Sequence, residues 1–368
     1  FIIKNKMSAK IKKNYIIFED GPLAGQSLHS LWLRERLTNK KNLDPNNFQR
    51  LYEPSLLDDN LYIKEFSQNE NILTLLFSDG ERGTYLIEDL LKEINKFNVI
   101  PDKTPWQQDT ITIPFHNYLE FKDSSNLFIN MLNDFHSLGF VIVTNLSSQE
   151  GTVINFAESL GPIRSTNFGK NFDVISKPNP NDLAYTPLGL SAHTDNPYRK
   201  PIPGIQLLHC IINEAKGGNS ILVDGLAIAN HLQLNERKYY NILTSTEILF
   251  RFIDKDVILE NWGKLIELNG NNDFKQIRFS GRLDYVPALD IEKLTLFYKA
   301  RKRLYELCSS KQFEINFRLD SGMLIMFDNH RLLHGRTKYD NSSGKRYLQG
   351  CYIEHDATEG KLRRLLIK

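Results

Sequence analysis

The chain has 368 residues, 41% of them hydrophobic and 24% charged, with 46 Lys and Arg against 44 Asp and Glu. That length suffices for two domains with a sizeable core, and a net charge of +2 gives no electrostatic case for nucleic acid or an anionic membrane as partner. Cys210, Cys308 and Cys351 form neither a disulfide framework nor a CxxC metal site, and no apolar run reaches the length of a membrane span, so a cytoplasmic location is expected.

The first elements fall in a small mixed domain over residues 15–98. Tyr15–Phe18 and Asn71–Phe77 read as strands, Leu28–Leu37 as an amphipathic helix, Ser78-Asp79-Gly80 as a turn and Leu86–Phe97 as a second helix. Val99–Pro114, with three prolines and little periodicity, reads as a linker. The larger domain, residues 115–368, opens with a helix over Ser124–Ser137 and a buried-type strand, Phe140–Val143. Short apolar strands then recur at Gly204–Ile211, Ile221–Val223, Glu314–Arg318, Met323–Phe327 and Tyr347–Ile353, with a long helix over Ile291–Leu307. The pattern predicts an α+β, mostly β fold: a double-stranded β-helix (jelly roll) with outer helices, preceded by the small mixed domain.

A metal constellation stands out. Leu190-Ser191-Ala192-His193-Thr194-Asp195 carries His and Asp at i and i+2, which face the same way in an extended segment. A third ligand is available from Asp328-Asn329-His330-Arg331-Leu332-Leu333-His334-Gly335-Arg336, as His330 or His334. Two histidines and one carboxylate on one face of iron leave three positions open for cosubstrate and oxygen. Arg346 follows on a strand, where a guanidinium can grip a carboxylate with two parallel hydrogen bonds. Each feature alone has an ordinary explanation, a chance HxD, a satisfied buried histidine or a salt-bridged arginine; their order and spacing together favour the metal site.

At these residues the sequence resembles the gamma-butyrobetaine hydroxylase branch of the 2-oxoglutarate oxygenases. The matching stretches are Asn181–Thr186, His193-Thr194-Asp195, Gly204–Cys210, Gly217-Gly218 to Val223-Asp224-Gly225, Phe327-Asp328-Asn329, Arg331–Arg336 and Leu348-Gln349-Gly350. The resemblance implies that His193, Asp195 and His334, rather than His330, hold Fe(II), and that Arg346 binds 2-oxoglutarate. With O2 as second cosubstrate, the reaction is hydroxylation of an unactivated C–H bond. Leu31–Arg36 resembles the start of the family's N-terminal domain, which in many relatives holds a structural zinc. Leu37–Lys40 and Ser78–Arg82 supply no cysteine or histidine here, so no zinc is expected. The family also implies a homodimer.

For the substrate, the resemblance implies a small quaternary ammonium compound held in an aromatic cage. Tyr185 matches a cage position, and Phe168 and Phe172 lie near where others are expected; the ordinary reading of the two phenylalanines is loop packing. Asn196-Pro197-Tyr198 and Arg278 to Tyr285 resemble bacterial relatives that hydroxylate 2-(trimethylamino)ethylphosphonate. Asn196, Tyr198, Ser280 and Arg282 are the expected donors to its anionic end, with pairing to Asp284 as the alternative for Arg282. Gamma-butyrobetaine and a sulfonate remain rival substrates, and a noncatalytic sensor or assembly protein on the same fold is the reading from another class.

Overall fold

A computed structural model describes residues 7–176 and 186–366. The chain divides into two compact units, Phe1–Asn98 and Val99–Lys368. Among the described residues no helix is long and apolar enough to cross a membrane.

In the first unit Ala9–Lys12, Tyr15–Phe18 and Ser27–His29 form one antiparallel sheet, and Ile63–Asn69, Ile72–Phe77 and Arg82–Leu86 form another. Their alternating apolar residues, Ile16, Phe18, Leu73, Leu75 and Phe77, share a core with Leu33. The helix expected over Leu28–Leu37 is confined to Ser30–Arg34. Leu28 is captured instead as a strand residue opposite Ile16, and His29 caps the helix by accepting from the Leu31 N–H. The segments expected to lack zinc ligands are joined by a polar network. Arg34 donates to Asp79 at 2.7 Å and to Asn42 at 3.0 Å, and Asn42 reaches Asn39 and Glu81.

The second unit is a sandwich of two sheets. Its strands, numbered within the unit, are β1 (Phe115–Asn117), β2 (Phe140–Thr144), β3 (Asn171–Val174), β4 (Leu190–His193), β5 (Ile205–Asn213), β6 (Ser220–Asp224), β7 (Glu314–Phe317), β8 (Leu324–Asp328), β9 (Leu332–Arg336) and β10 (Arg346–Ile353). The six-stranded sheet runs β1-β2-β8-β5-β10-β3 and the four-stranded sheet β4-β9-β6-β7. Only the β1–β2 pair is parallel among these ladders. The long apolar runs seen in the sequence are strands buried on both faces. In β2, Phe140 and Ile142 point inward while Val141 and Val143 point outward; in β8, Ile325 and Phe327 point inward while Leu324 and Met326 point outward.

Helices cover the outward faces. The helices α1 (Ser125–Leu138), α2 (Thr152–Leu160) and α6 (His355–Leu366) close the six-stranded sheet. On the other sheet lie α3 (Gly225–Asn235), α4 (Arg237–Ser245) and α5 (Ile291–Cys308), together with a hairpin of Glu247–Ile253 and Ile258–Lys264. α1 starts at the Ser124 N-cap and stops at Gly139, whose φ of 84° suits a C-terminal glycine.

The stretch 99–114, expected to be a linker, packs into the second unit. Trp106 is buried, donates its backbone N–H to Asp224 at 3.0 Å and its indole N–H to the Leu138 carbonyl at 2.8 Å. The pair that receives it is fully buried: Arg331 donates to both Asp224 oxygens, at 3.0 and 2.8 Å, and to the carbonyls of Ser137 and Thr104. Asp224 also caps α3 through the Leu226 N–H. Breaking such a pair leaves an uncompensated buried cation, so Asp224→Ala is expected to cost about 3–5 kcal/mol, read as a lowered urea midpoint.

A second pair joins the end of β8 to α6. His355 Nε2 lies 2.8 Å from Asp328 Oδ1. Burial pushes the imidazole down, but Asp328 and its hydrogen bond outweigh this and raise it. Burial likewise works against the Asp328 charge, yet His355 holds that carboxyl well below its usual range. A raised histidine stabilises the fold fully below its unfolded value of about 6.5 and loses that contribution as pH rises through the folded value. The difference in Tm between wild type and His355→Gln is therefore expected to be widest on the acid side of about pH 6.5, above the depressed Asp328 range, and to narrow as pH climbs further. Thermal melts across pH read it directly.

Candidate functional site

The inner faces of the sandwich become polar where β4 and β9 pair. His193, the last residue of β4, stands opposite His334 in the ladder, with ring centroids 4.5 Å apart. Asp195 follows two residues on, in a bend beyond the strand. Its Oδ1 lies 3.4 Å from His193 Nε2 and 3.9 Å from His334 Nε2. One ligand atom from each of the three lies within 4.8 Å of the others, and among the described residues this is the group able to hold a metal.

The bend is built by tertiary contacts. Thr194 donates its N–H to the Phe279 carbonyl and its hydroxyl to that of Ile277. The Asp195 N–H donates to Asn329 Oδ1 at 2.9 Å, and Asn329 Nδ2 returns bonds to the carbonyls of Asp195 and Pro203. Asn196 then adopts φ 50°, a left-handed conformation that Asn tolerates.

The donor set suits a ferrous ion. His193 Nδ1 lies 2.9 Å from the Ser191 carbonyl, which assigns the proton to Nδ1 and turns Nε2 toward the cluster. Burial and the neighbouring His193 push His334 down to about 3, with Arg282 adding to the effect, so its imidazole is neutral and free to ligate. Burial works against ionisation of Asp195, but His334, His193 and the Tyr352 hydroxyl outweigh it and hold the carboxyl below its usual range. Two imidazoles and one carboxylate are the donors of a facial triad.

Arg346, first residue of β10, lines the same cavity as the triad. It donates through Nη2 to the Gly218 carbonyl at 3.3 Å, while its buried Nε and Nη1 have no partner among the described residues. Gly218 (φ 67°) makes room for it, since a Cβ there would lie 2.9 Å from Arg346 Nε. Tyr339 supports the guanidinium with its ring, 5.3 Å from Cζ. Two buried, charged donors without partners fit a carboxylate from outside the chain, as 2-oxoglutarate provides. Arg336 also lines the cavity but donates to the carbonyls of Leu188 and Thr186.

The other anticipated residues divide. Phe172, on the inner face of β3, lines the cavity 5.2 Å from the Tyr352 ring. Phe168 packs against Phe252, with the Arg199 guanidinium 5.9 Å from its ring. Tyr185, like Asn181–Ala184 of its motif, lies outside the described residues. Asn196 and Tyr198 are buried and bonded to each other, and Asn196 also donates to Tyr352. Ser280 is buried with its hydroxyl unpartnered. Arg282 is exposed, and Asp284 pairs with Arg301 at 2.9 Å rather than with it. His330 is directed to the Ile202 carbonyl, away from the triad.

Sequence reasoning passed over Gln206, Ser220, Asn329 and Tyr352. Strand parity holds a signal for two of them. Tyr352 is six residues beyond Arg346 on β10 and faces the same way, and Gln206 lies opposite Tyr352 on β5.

Comparisons with known proteins agree with this geometry. Residues 103–352 match the model of the family described as taurine catabolism dioxygenase TauD, TfdA. Gamma-butyrobetaine dioxygenase of Pseudomonas sp. (strain AK-1) is 33% identical over 267 residues, 73% of this chain and 69% of the relative. The Homo sapiens protein of that name is 32% identical over 69% of this chain and 66% of its own length. Mitochondrial trimethyllysine dioxygenase of Bos taurus is 25% identical over 89% of this chain and 80% of its own. The chain thus belongs to the TauD, TfdA dioxygenase family, as an iron(II)- and 2-oxoglutarate-dependent enzyme of the gamma-butyrobetaine hydroxylase type.

Proposed function

We propose that His193, Asp195 and His334 hold the iron(II), that Arg346 receives the distal carboxylate of 2-oxoglutarate, and that the enzyme hydroxylates a small trimethylammonium-bearing anion, 2-(trimethylamino)ethylphosphonate before others. The observation that carries the reading is the pair of unpartnered Arg346 donors facing the same cavity as the triad. Iron(II) with both cosubstrates supplies the oxidation: 2-oxoglutarate and O2 become succinate and CO2, and one oxygen atom enters a substrate C–H bond as hydroxyl.

The protein's own part is binding and aim. Arg346 fixes one end of the cosubstrate, and the apolar walls from Phe172, Val174, Leu208 and Leu348 keep water out. The rings of Phe172 and Tyr352 offer π faces to a quaternary ammonium, which accepts no hydrogen bond and donates none. The curated relatives named for gamma-butyrobetaine and trimethyllysine support a substrate of that class. For the anionic end, the Ser280 hydroxyl has no partner among the described residues, and Arg282 is exposed, with Asp284 paired to Arg301 instead. Asn196 keeps one amide hydrogen after serving Tyr352 and accepting from Tyr198. A phosphonate, with three acceptor oxygens, uses such donors better than a carboxylate does. Gamma-butyrobetaine is the second reading, favoured by the identity to the two enzymes of that name.

Enzyme reconstituted anaerobically with Fe(II) and 2-oxoglutarate, then given oxygen, is expected to form succinate with the phosphonate and little with gamma-butyrobetaine, trimethyllysine or taurine. Strong turnover of gamma-butyrobetaine alone would reject the phosphonate assignment. Arg346→Met is expected to raise the KM for 2-oxoglutarate at least about tenfold, the worth of a charge-assisted hydrogen bond, and Arg346→Lys by less. An unchanged KM in Arg346→Met would remove this residue from the cosubstrate site.

A further inference from the structure

The carboxylate of Asp195 is held from behind. Its Oδ1 faces the two histidine nitrogens, while its Oδ2 accepts a hydrogen bond from the Tyr352 hydroxyl at 2.8 Å. Tyr352 in turn accepts from Asn196 Nδ2 at 2.9 Å, and Asn196 Oδ1 accepts from the Tyr198 hydroxyl. Tyr198, Asn196 and Tyr352 are 4%, 7% and 4% exposed, so water does not compete for these bonds. The Tyr198 ring lies in the core, stacked on Phe252 at 4.8 Å.

Every proton in this chain points the same way, toward the carboxylate. Tyrosine has one hydroxyl hydrogen; with that of Tyr352 given to Asp195, its lone pair is free to accept from Asn196. Bonds aligned in this sense polarise one another and strengthen the last of them. The strands set the positions: Tyr352 is on the inner face of β10 opposite Gln206, and Asn196 follows Asp195 in the left-handed turn.

We propose that Tyr352 is a positioning residue for the metal, and that the chain Tyr198–Asn196–Tyr352 keeps Asp195 a one-oxygen ligand by engaging its second oxygen. The inference rests on the reading of His193, Asp195 and His334 as the ligands. With Oδ2 engaged, the carboxylate would offer a bound metal one oxygen only, as a facial triad with open positions requires. Partners that orient metal ligands in this way typically contribute 10–100-fold in metal affinity.

The test is direct titration of the metal-free protein with Co(II), a redox-stable probe, followed by its visible absorption and needing no turnover. Tyr352→Phe keeps the ring and removes one hydroxyl; its Kd for Co(II) is expected to rise about 10–100-fold. Asn196→Gly, which retains the left-handed turn, and Tyr198→Phe remove earlier links and are expected to give successively smaller losses. Circular dichroism of each variant checks folding, and should Tyr352→Phe not fold, the order of the other two still decides. Equal affinity for wild type and all folded variants, with His334→Ala failing to bind, overturns the inference and leaves the ligand assignment intact. His334→Ala binding as tightly as wild type overturns the ligand assignment instead.

Discussion

The chemistry of the catalytic unit depends on one ladder, the antiparallel pairing of Leu190–His193 with Leu332–Arg336. That register sets His193 directly across from His334 and turns both side chains into the sandwich. A slip of one residue would turn each histidine into the opposite face, among Ile221, Val223 and Leu333, where an imidazole would find no ligand partner. The third member of the cluster, Asp195, lies beyond the ladder, and its place comes from Asn329 on the β8–β9 turn, which grips the backbone of Asp195 on both sides. Both ends of the triad thus answer to the same neighbouring segment, residues 328–336.

That segment is also where the unit concentrates its buried charge. Asp328 with His355, Asn329 with the Asp195 backbone, Arg331 with Asp224, and His334 in the triad follow one another within seven positions. A buried ion pair is a weak source of net stability, since desolvation offsets most of its Coulomb gain. What it provides is a penalty for any other arrangement. Arg331 has the carboxylate of Asp224 and the carbonyls of Ser137 and Thr104 as partners, so α1, the 99–114 segment and β9 can meet in only one way.

Contrast this with Arg346. In a protein that gives every guanidinium nitrogen of Arg331 a partner, two buried guanidinium donors of Arg346 without one among the described residues are conspicuous. The difference separates a structural arginine from one kept for a ligand. Arg336 illustrates the intermediate case, a cation in the cavity wall occupied with backbone carbonyls. Tyr339 lies 5.3 Å from both Arg336 and Arg346 and so braces the two together.

Much of this was legible in the sequence, for local reasons. Continuous apolar runs such as Phe140–Val143 and Leu324–Phe327 must be buried on both faces, and their length makes them strands. The HxD spacing, the Leu-Leu-His-Gly-Arg run and Arg346 carry chemistry in their residue types, and family resemblance chose His334 over His330. Less visible was whatever depended on who paired with whom. Leu28 reads as helical until Ile16 is set against it. Residues 99–114 read as a linker because nothing in proline-rich sequence announces that Trp106 will find Asp224. The i, i+2 geometry assumed for His193 and Asp195 holds in an extended strand, whereas here the strand ends at His193 and a bend delivers the carboxylate. By itself, then, the sequence determined the sandwich of short buried strands and the kinds of ligand at its mouth, because periodicity and residue chemistry are local properties. Only the tertiary structure decided that Tyr352 donates to the Asp195 carboxylate and accepts from Asn196, and that two Arg346 donors lack a partner among the described residues, because each depends on which distant strands are brought together.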